Sequence, residues 1–224
     1  MSTGPKMTPL KNIGVCYLCK QNMAHRVMTK HLGKCIEQQA INDVPAKNEK
    51  EKVFLIKISA GKEFWLYVEV NGSSTLEDLD YFLRKIWLEC CGHMSQFRIN
   101  GKCYSCDGNM EKVIHRTLPV GTEFDYDYDF GDTTELRGIV LASRQGELLE
   151  GIRLLAQNHL PEYVQCAICK KFPLEICTGC YGFFCEACQK KHITSCAGEE
   201  YMLPVVNSPR MGVCGYSGPD DEWR

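Results

Sequence analysis

Val53-Phe-Leu-Ile-Lys-Ile-Ser-Ala-Gly-Lys-Glu-Phe-Trp-Leu-Tyr-Val-Glu-Val70 decides the fold class of this chain. Its two halves, Val53 to Ser59 and Phe64 to Val70, are rich in β-branched and aromatic residues. The short break between them contains Gly61, so the segment predicts two consecutive strands. The next segment, Asn71-Gly-Ser-Ser-Thr-Leu-Glu-Asp-Leu79, changes period. Ser74 with Glu77 three positions on predicts a capping box. Leu76, Leu79, Leu83, Ile86 and Trp87 then recur at helical spacing, ending near Gly92. Gln96-Phe-Arg-Ile99 and Lys102-Cys-Tyr-Ser105 flank Asn100-Gly101, a hairpin signal. Leu136 to Ser143 and Ile152 to Gln157 predict two further strands.

Glu123-Phe-Asp-Tyr-Asp-Tyr-Asp-Phe-Gly-Asp132 alternates strictly, with Phe124, Tyr126, Tyr128 and Phe130 on one face and Asp125, Asp127 and Asp129 on the other. The acidic face reads as the solvated side of a half-buried strand. A divalent metal or a basic partner is the alternative, although carboxylates two residues apart on a strand are about 6.5–7 Å apart, too far to share a small ion unaided. The element order predicts an α+β domain over residues 53–160. It has a mixed or antiparallel sheet with one main packed helix, flanked by small zinc-held modules at both ends.

Those modules are read from cysteine spacing. Cys16-Tyr-Leu-Cys19 with His31 and Cys35 spells C-x2-C-x11-H-x3-C, close to a ββα finger with cysteine in place of the last histidine. On a helix, His31 and Cys35 face one side, and the Cys16/Cys19 turn closes the site from the other. From Cys166 to Cys196 the pattern C-x2-C-x7-C-x2-C-x4-C-x2-C-x3-H-x3-C provides Cys166, Cys169, Cys177, Cys180, Cys185, Cys188, His192 and Cys196. Eight donors suit two tetrahedral zinc ions, so three zinc ions are expected per chain. Domains are accordingly expected at 11–36 (finger), 37–52 (linker), 53–160 (α+β), 161–200 (two-zinc module) and 201–224 (C-terminal tail). Cys91, His93, Cys103 and Cys106 would form a further site if the helix end met the hairpin; otherwise these cysteines are buried thiols. Cys214 has no partner in view.

The chain has 224 residues, fifteen of them cysteine, with 44% hydrophobic and 24% charged residues. These values suit a globular protein, and no apolar run approaches a membrane span. The opening residues lack the apolar core of a secretory signal, and the cysteines fall in C-x-x-C pairs. A reducing, cytoplasmic setting with zinc is expected rather than disulfides. The net charge of −2 hides an asymmetry. Residues 1–35 carry six bases and no acid, whereas residues 53–142 carry nine bases against fourteen acids. Lys20, His25, Arg26, Lys30 and Lys34 on the finger are therefore candidate contacts to nucleic-acid phosphates. The alternative is a protein–protein adaptor working through its zinc modules. An enzyme acting at the acidic strand is the remaining class. No G-x-S-x-G, Walker loop, H-E-x-x-H or G-x-G-x-x-G occurs to support it, so the expectation leans against an enzyme.

The opening strand Val53 to Ile58, Phe64 to Val70, Thr75-Leu-Glu-Asp-Leu79, Trp87 with Cys91-Gly-His-Met-Ser-Gln-Phe97, and above all Tyr126-Asp-Tyr-Asp-Phe-Gly-Asp132 resemble the Ri-plasmid ORF-three-like family, also described as insertion-element passenger (TnpR-like) proteins. The resemblance covers about residues 53 to 160. It is nearest a cysteine-rich branch, whose C-terminus also resembles Leu203-Pro-Val-Val-Asn-Ser-Pro-Arg-Met-Gly-Val-Cys-Gly-Tyr216. It implies a fold and a mobile-element association, but no settled activity. The family often has a Trp and a His after Phe-Gly-Asp. Here Thr133-Thr-Glu-Leu136 follows, so no role of those residues carries over. The C-terminal pattern resembles the B-box group of cross-brace zinc modules. That resemblance implies one ion on Cys166, Cys169, Cys185 and Cys188 and another on Cys177, Cys180, His192 and Cys196, with sequential pairing as the alternative.

Overall fold

The computed structural model describes residues 12–39, 43, 51–196 and 201–219. The expected strands form and join one nine-stranded sheet. Its members are β1 (Ile13–Cys16), β2 (Asn22–Ala24), β3 (Lys52–Ala60), β4 (Phe64–Asn71), β5 (Ser95–Ile99), β6 (Lys102–Ser105), β7 (Glu123–Tyr128), β8 (Thr134–Gln145) and β9 (Ile152–Asn158). The spatial order is β2-β1-β9-β4-β3-β8-β7-β5-β6, and every pairing is antiparallel. The β5–β6 turn is made by Asn100 and Gly101, both at positive φ, as an Asn-Gly hairpin requires.

Alternation along β3 and β4 gives the sheet two apolar faces, and each has its own helix. Ile56, Ile58, Leu66 and Val68 face α2 (Leu76–Leu83), whose Leu76, Leu79, Phe82 and Leu83 are buried against them. The intervening residues Leu55, Trp65 and Tyr67 face α1 (His25–Gln39), which buries Met28, Leu32, Cys35 and Ile36. The expectation of one main packed helix is thus corrected: β4 is buried along its whole length, so each face must be covered. The helix after β4 is capped one residue later than expected, by Thr75 and Asp78 in a reciprocal capping box. Ser74 is still engaged in the loop, its carbonyl accepting from the Ile114 amide at the start of α3 (Ile114–Thr117). Beyond Leu83 a single π turn (Arg84–Leu88) carries Ile86 and Trp87 into the core.

The finger is continuous with the domain. Its strand β1 pairs with β9, Gly14 opposite Asn158 and Cys16 opposite Ala156. Most of the expected linker lies outside the described residues, but its Asp43 pairs with Arg144 and Arg153 on the α1 face. At the C-terminus, β10 (Glu175–Cys177), β11 (Phe183–Phe184) and β12 (Met202–Pro204) form a small antiparallel sheet beside α4 (Glu186–Ile193). The expected tail therefore begins as a strand and continues onto the body, where Ser208, Arg210 and Tyr216 are buried.

Gly14 is where the finger meets the sheet most closely. A methyl group there would run into the Gln157 carbonyl and the Trp65 ring. Gly14→Ala should lower stability by about 1–3 kcal/mol, read from a denaturant midpoint at unchanged slope. No loss would mean that β1 can lift from Trp65.

Candidate metal centres and the basic helix

The first centre is built by a knuckle at the end of β1 and by one face of α1. The Cys16 amide donates to the Gln21 carbonyl, the Lys20 amide donates to the Cys16 carbonyl, and Lys20 takes a left-handed conformation at φ 61°. The same turn recurs twice in the C-terminal module. Lys170 (φ 61°) donates to the Cys166 carbonyl, and Tyr181 (φ 57°) donates to the Cys177 carbonyl. In each, the residue after the second cysteine closes the turn, which aims two thiols at one point. A non-glycine residue in this region is disfavoured by about 1–2 kcal/mol, so its recurrence at the same place in three turns marks one shared local geometry that brings each cysteine pair together.

Three quartets of the sequence reading come together: Cys16, Cys19, His31, Cys35; Cys166, Cys169, Cys185, Cys188; and Cys177, Cys180, His192, Cys196. Within each, the donor atoms lie within 4.8 Å of one another. The C-terminal ligands pair in the interleaved, cross-brace order, with α4 sending Cys188 to one quartet and His192 to the other. His31 Nε2 is 3.2 Å from Cys19 Sγ and 3.1 Å from Cys35 Sγ, Cys169 Sγ is 3.5 Å from Cys185 Sγ, and Cys180 Sγ is 3.6 Å from His192 Nε2. A tetrahedron with metal–sulfur bonds of about 2.3 Å has edges of about 3.7 Å, so the donors stand close to where an ion needs them.

The protonation chemistry agrees. Burial alone would raise the Cys166 thiol, but the amides of Cys169, Cys185 and Ile168 outweigh it and bring it down to about 6. Cys188 of the same quartet is pushed up to about 12 by burial and then by Cys185, Cys169 and Cys166. In the first quartet Cys35 is pushed up to about 12 by burial and by Cys19 and Cys16. One thiol ionises readily and the last resists, because their charges crowd one point. A dication removes that conflict. Donors of this softness suit a thiophilic ion.

A fourth quartet, Cys90, Cys91, His93 and Cys214, corrects the expected count of three ions. Cys103 and Cys106, the expected partners of Cys91 and His93, join no quartet: Cys103 lies on edge strand β6, and Cys106 Sγ accepts from the Ser95 amide at 3.3 Å. The cue in the sequence was the unexplained Cys214.

Arg26, Lys30 and Lys34 project from the solvent side of α1 at four-residue spacing, and Lys20 is exposed on the knuckle, its Nζ 5.5 Å from the Tyr17 ring. His25 is not part of this basic face. It stacks on Trp65 at 4.5 Å, and burial followed by the charge of Lys57 lowers its pKa to about 4, so it is neutral at pH 7.

The acidic strand is also reassigned. Asp125 is opposite both Arg98 and Arg137 across the ladder, Asp127 is buried and pairs with Arg98, and Asp129 leaves the strand at φ 65° to meet Arg210. Alternation placed Asp125 and Asp127 opposite the aromatics but not Asp129, which lies beyond the strand, and it could not reveal the arginines that arrive from other elements. Phe130 lies beyond the strand and is exposed. A cleft of about 680 Å³ on the α1 side of the sheet is lined by Lys57, Arg98 and Arg137, with Glu123 and Asp125 nearly cancelling their charge.

Among the described residues no helix is long and apolar enough to cross a membrane. No protein-family profile matches the chain, and no curated protein is detectably similar to it. Among solved structures it is similar to a protein of unknown function from Methanosarcina mazei Go1, with 19% identity and a TM-score of 0.38. The alignment covers 43% of this chain and 63% of that one, so the chain spans less than two thirds of its length.

Proposed function

We propose that this chain is a non-enzymatic, cytoplasmic zinc protein that binds nucleic acid through the solvent face of α1, and that it belongs with the mobile-element-associated family its central residues resemble. The basic stripe of Arg26, Lys30 and Lys34 with Lys20 beside it is the observation that carries this reading. The opposite face of the same helix is docked on the sheet and fixed by two donors of the first quartet, so the stripe is presented on a rigid support. The contacts are to phosphates and largely independent of sequence, since a single small module covers too little surface for base readout. The non-enzymatic part is supported by quartets whose four positions are all filled by protein donors, leaving no open coordination site for catalysis. Arginine pairing of Asp125, Asp127 and Asp129 supports the same reading, because the arginines give these carboxylates a structural role in the sheet and its C-terminal strap.

Replacing Arg26, Lys30 and Lys34 together with Ala should weaken binding to duplex and single-stranded nucleic acid alike. On duplex DNA the slope of log affinity against log salt should become shallower by up to about 0.9 per lost phosphate contact. Metal content should not change, because none of the three is a donor. Equal affinity and slope in the variant would overturn the reading.

One observation favours the adaptor alternative. Tyr163, Ile168, Phe172, Leu174, Tyr181 and Tyr201 all lie exposed within the C-terminal module, a concentration of large apolar side chains suited to a protein partner. If the intact protein binds no nucleic acid at low salt, this surface becomes the functional one.

A further inference from the structure

We infer that Cys90, Cys91, His93 and Cys214 bind a fourth thiophilic divalent cation, and that this ion latches the C-terminal segment onto the end of the α2 arm. The inference is independent of the nucleic-acid reading. Three of the donors come from one short loop just after the π turn, where Gly92 at φ 70° turns the chain between Cys91 and His93. The fourth comes from the far end of the chain, with Cys214 itself left-handed at φ 54°. Cys214 Sγ is 3.3 Å from Cys91 Sγ and 3.6 Å from His93 Nε2, the same spacings as in the other quartets. A disulfide between Cys91 and Cys214 would need sulfurs about 2.05 Å apart, and it would not account for a third thiol and an imidazole at the same point.

The surroundings are built for a negatively charged metal–thiolate group. Arg210 is fully buried, its guanidinium stacked 4.9 Å over the Tyr128 ring. One of its nitrogens donates to Asp129 at 2.6 Å and lies 3.5 Å from Cys90 Sγ, so a single cation serves a carboxylate and a sulfur together. Three thiolates around a dication leave a net charge of about −1, which the second hydrogen bond of Arg210 answers; neutral thiols would give it little. Asp129 also approaches His93 Nε2, at 3.6 Å, but Arg210 and the Gly131 amide hold its oxygens, which keeps the set at four donors.

The same residues tie the segment down. Ser208 donates to the Trp87 carbonyl at 2.5 Å and accepts from the Arg210 amide at 2.8 Å, and Arg210 also donates to the Asp132 carbonyl at 2.8 Å. None of the four donors is buried, whereas each of the other quartets has at least one buried cysteine. This ion should therefore be the first that a chelator removes.

Elemental analysis of the full chain, purified reduced and without chelator, tests this. Four ions per chain are expected, with one fewer in Cys214→Ser and in Cys91→Ser. The Cys103→Ser/Cys106→Ser double variant should keep the full number. Stepwise chelation of the unmutated protein, followed by amide exchange, should release residues 207–216 with the first ion while α1 stays protected. Three ions in the unmutated protein, an undiminished count in either single variant, a mapped Cys91–Cys214 disulfide, or a first ion that leaves without exposing residues 207–216 would each overturn the inference.

Discussion

His31→Ala should destabilise the whole nine-stranded sheet and not merely melt a detached finger. A structural zinc supplies on the order of 10–16 kcal/mol to a small module, as much as the total stability of an ordinary domain. The first quartet holds α1 by His31 and Cys35 and holds the end of β1 by Cys16. On the proposed zinc reading, losing the ion removes the clamp on α1 and takes the cover from Leu55, Trp65 and Tyr67 on the sheet. Burying a side chain of this kind is worth roughly 1.5–3 kcal/mol, so uncovering even two of them costs about 3 kcal/mol or more. Three measurements should move together in His31→Ala: one metal equivalent lost, an unfolding free energy lowered by that amount as read from the denaturant midpoint and slope, and a changed fluorescence from Trp65, which His25 now covers at 4.5 Å. For the same reason a fragment spanning residues 53–160 should be less stable than the intact chain, even with chelator absent from both. A variant that loses metal but keeps its midpoint would show that the finger is separable.

What could be read from the residues alone follows the range of the interaction. The knuckles and the i, i+4 donor pairs are local, so spacing picks out the twelve side chains that cluster in three quartets, and the B-box resemblance implies their interleaved order. The strands β3 to β9 and the helix after β4 are short-period patterns and were equally legible. The fourth quartet was not, because Cys214 stands more than a hundred residues from Cys91 and nothing in either neighbourhood points to the other. The β1–β9 pairing is non-local in the same way, and it turns an expected free module into the end of a sheet. Composition misled in two places. His25 reads as a candidate base, but its ring stacks on Trp65; Asp125, Asp127 and Asp129 read as solvated, but Arg98, Arg137 and Arg210 reach them from other elements.

Glu69→Ala should be among the most destabilising single substitutions on the α1 face. Glu69 is 1% exposed in the middle of β4, in a position that alternation assigns to the same row as Trp65 and Tyr67. Its carboxylate accepts from Arg144 Nε at 2.6 Å and from Arg153 Nη2, while Asp43 accepts from Arg144 Nη2 at 2.6 Å and from Arg153 Nη1 at 2.9 Å. Two acids and two bases make a neutral square. Removing Glu69 leaves two guanidinium groups sharing Asp43, and breaking a buried pair in this way costs about 3–5 kcal/mol. The arginine side chains keep 20% and 28% of their exposure, so water offsets part of the loss and the expected value lies at the lower end. Because the pairs are shielded, 0.5 M salt should change this cost little. Glu69→Gln should cost less, since it keeps an acceptor and the shape. Replacing Glu69, Asp43, Arg144 and Arg153 together with apolar residues of similar volume should recover most of the loss, because it removes all four charges of the square instead of stranding any of them. Denaturant midpoints of the three variants decide the matter. A cost below about 1 kcal/mol for Glu69→Ala would mean that the square behaves as an exposed ion pair and that α1, not these charges, holds this face together.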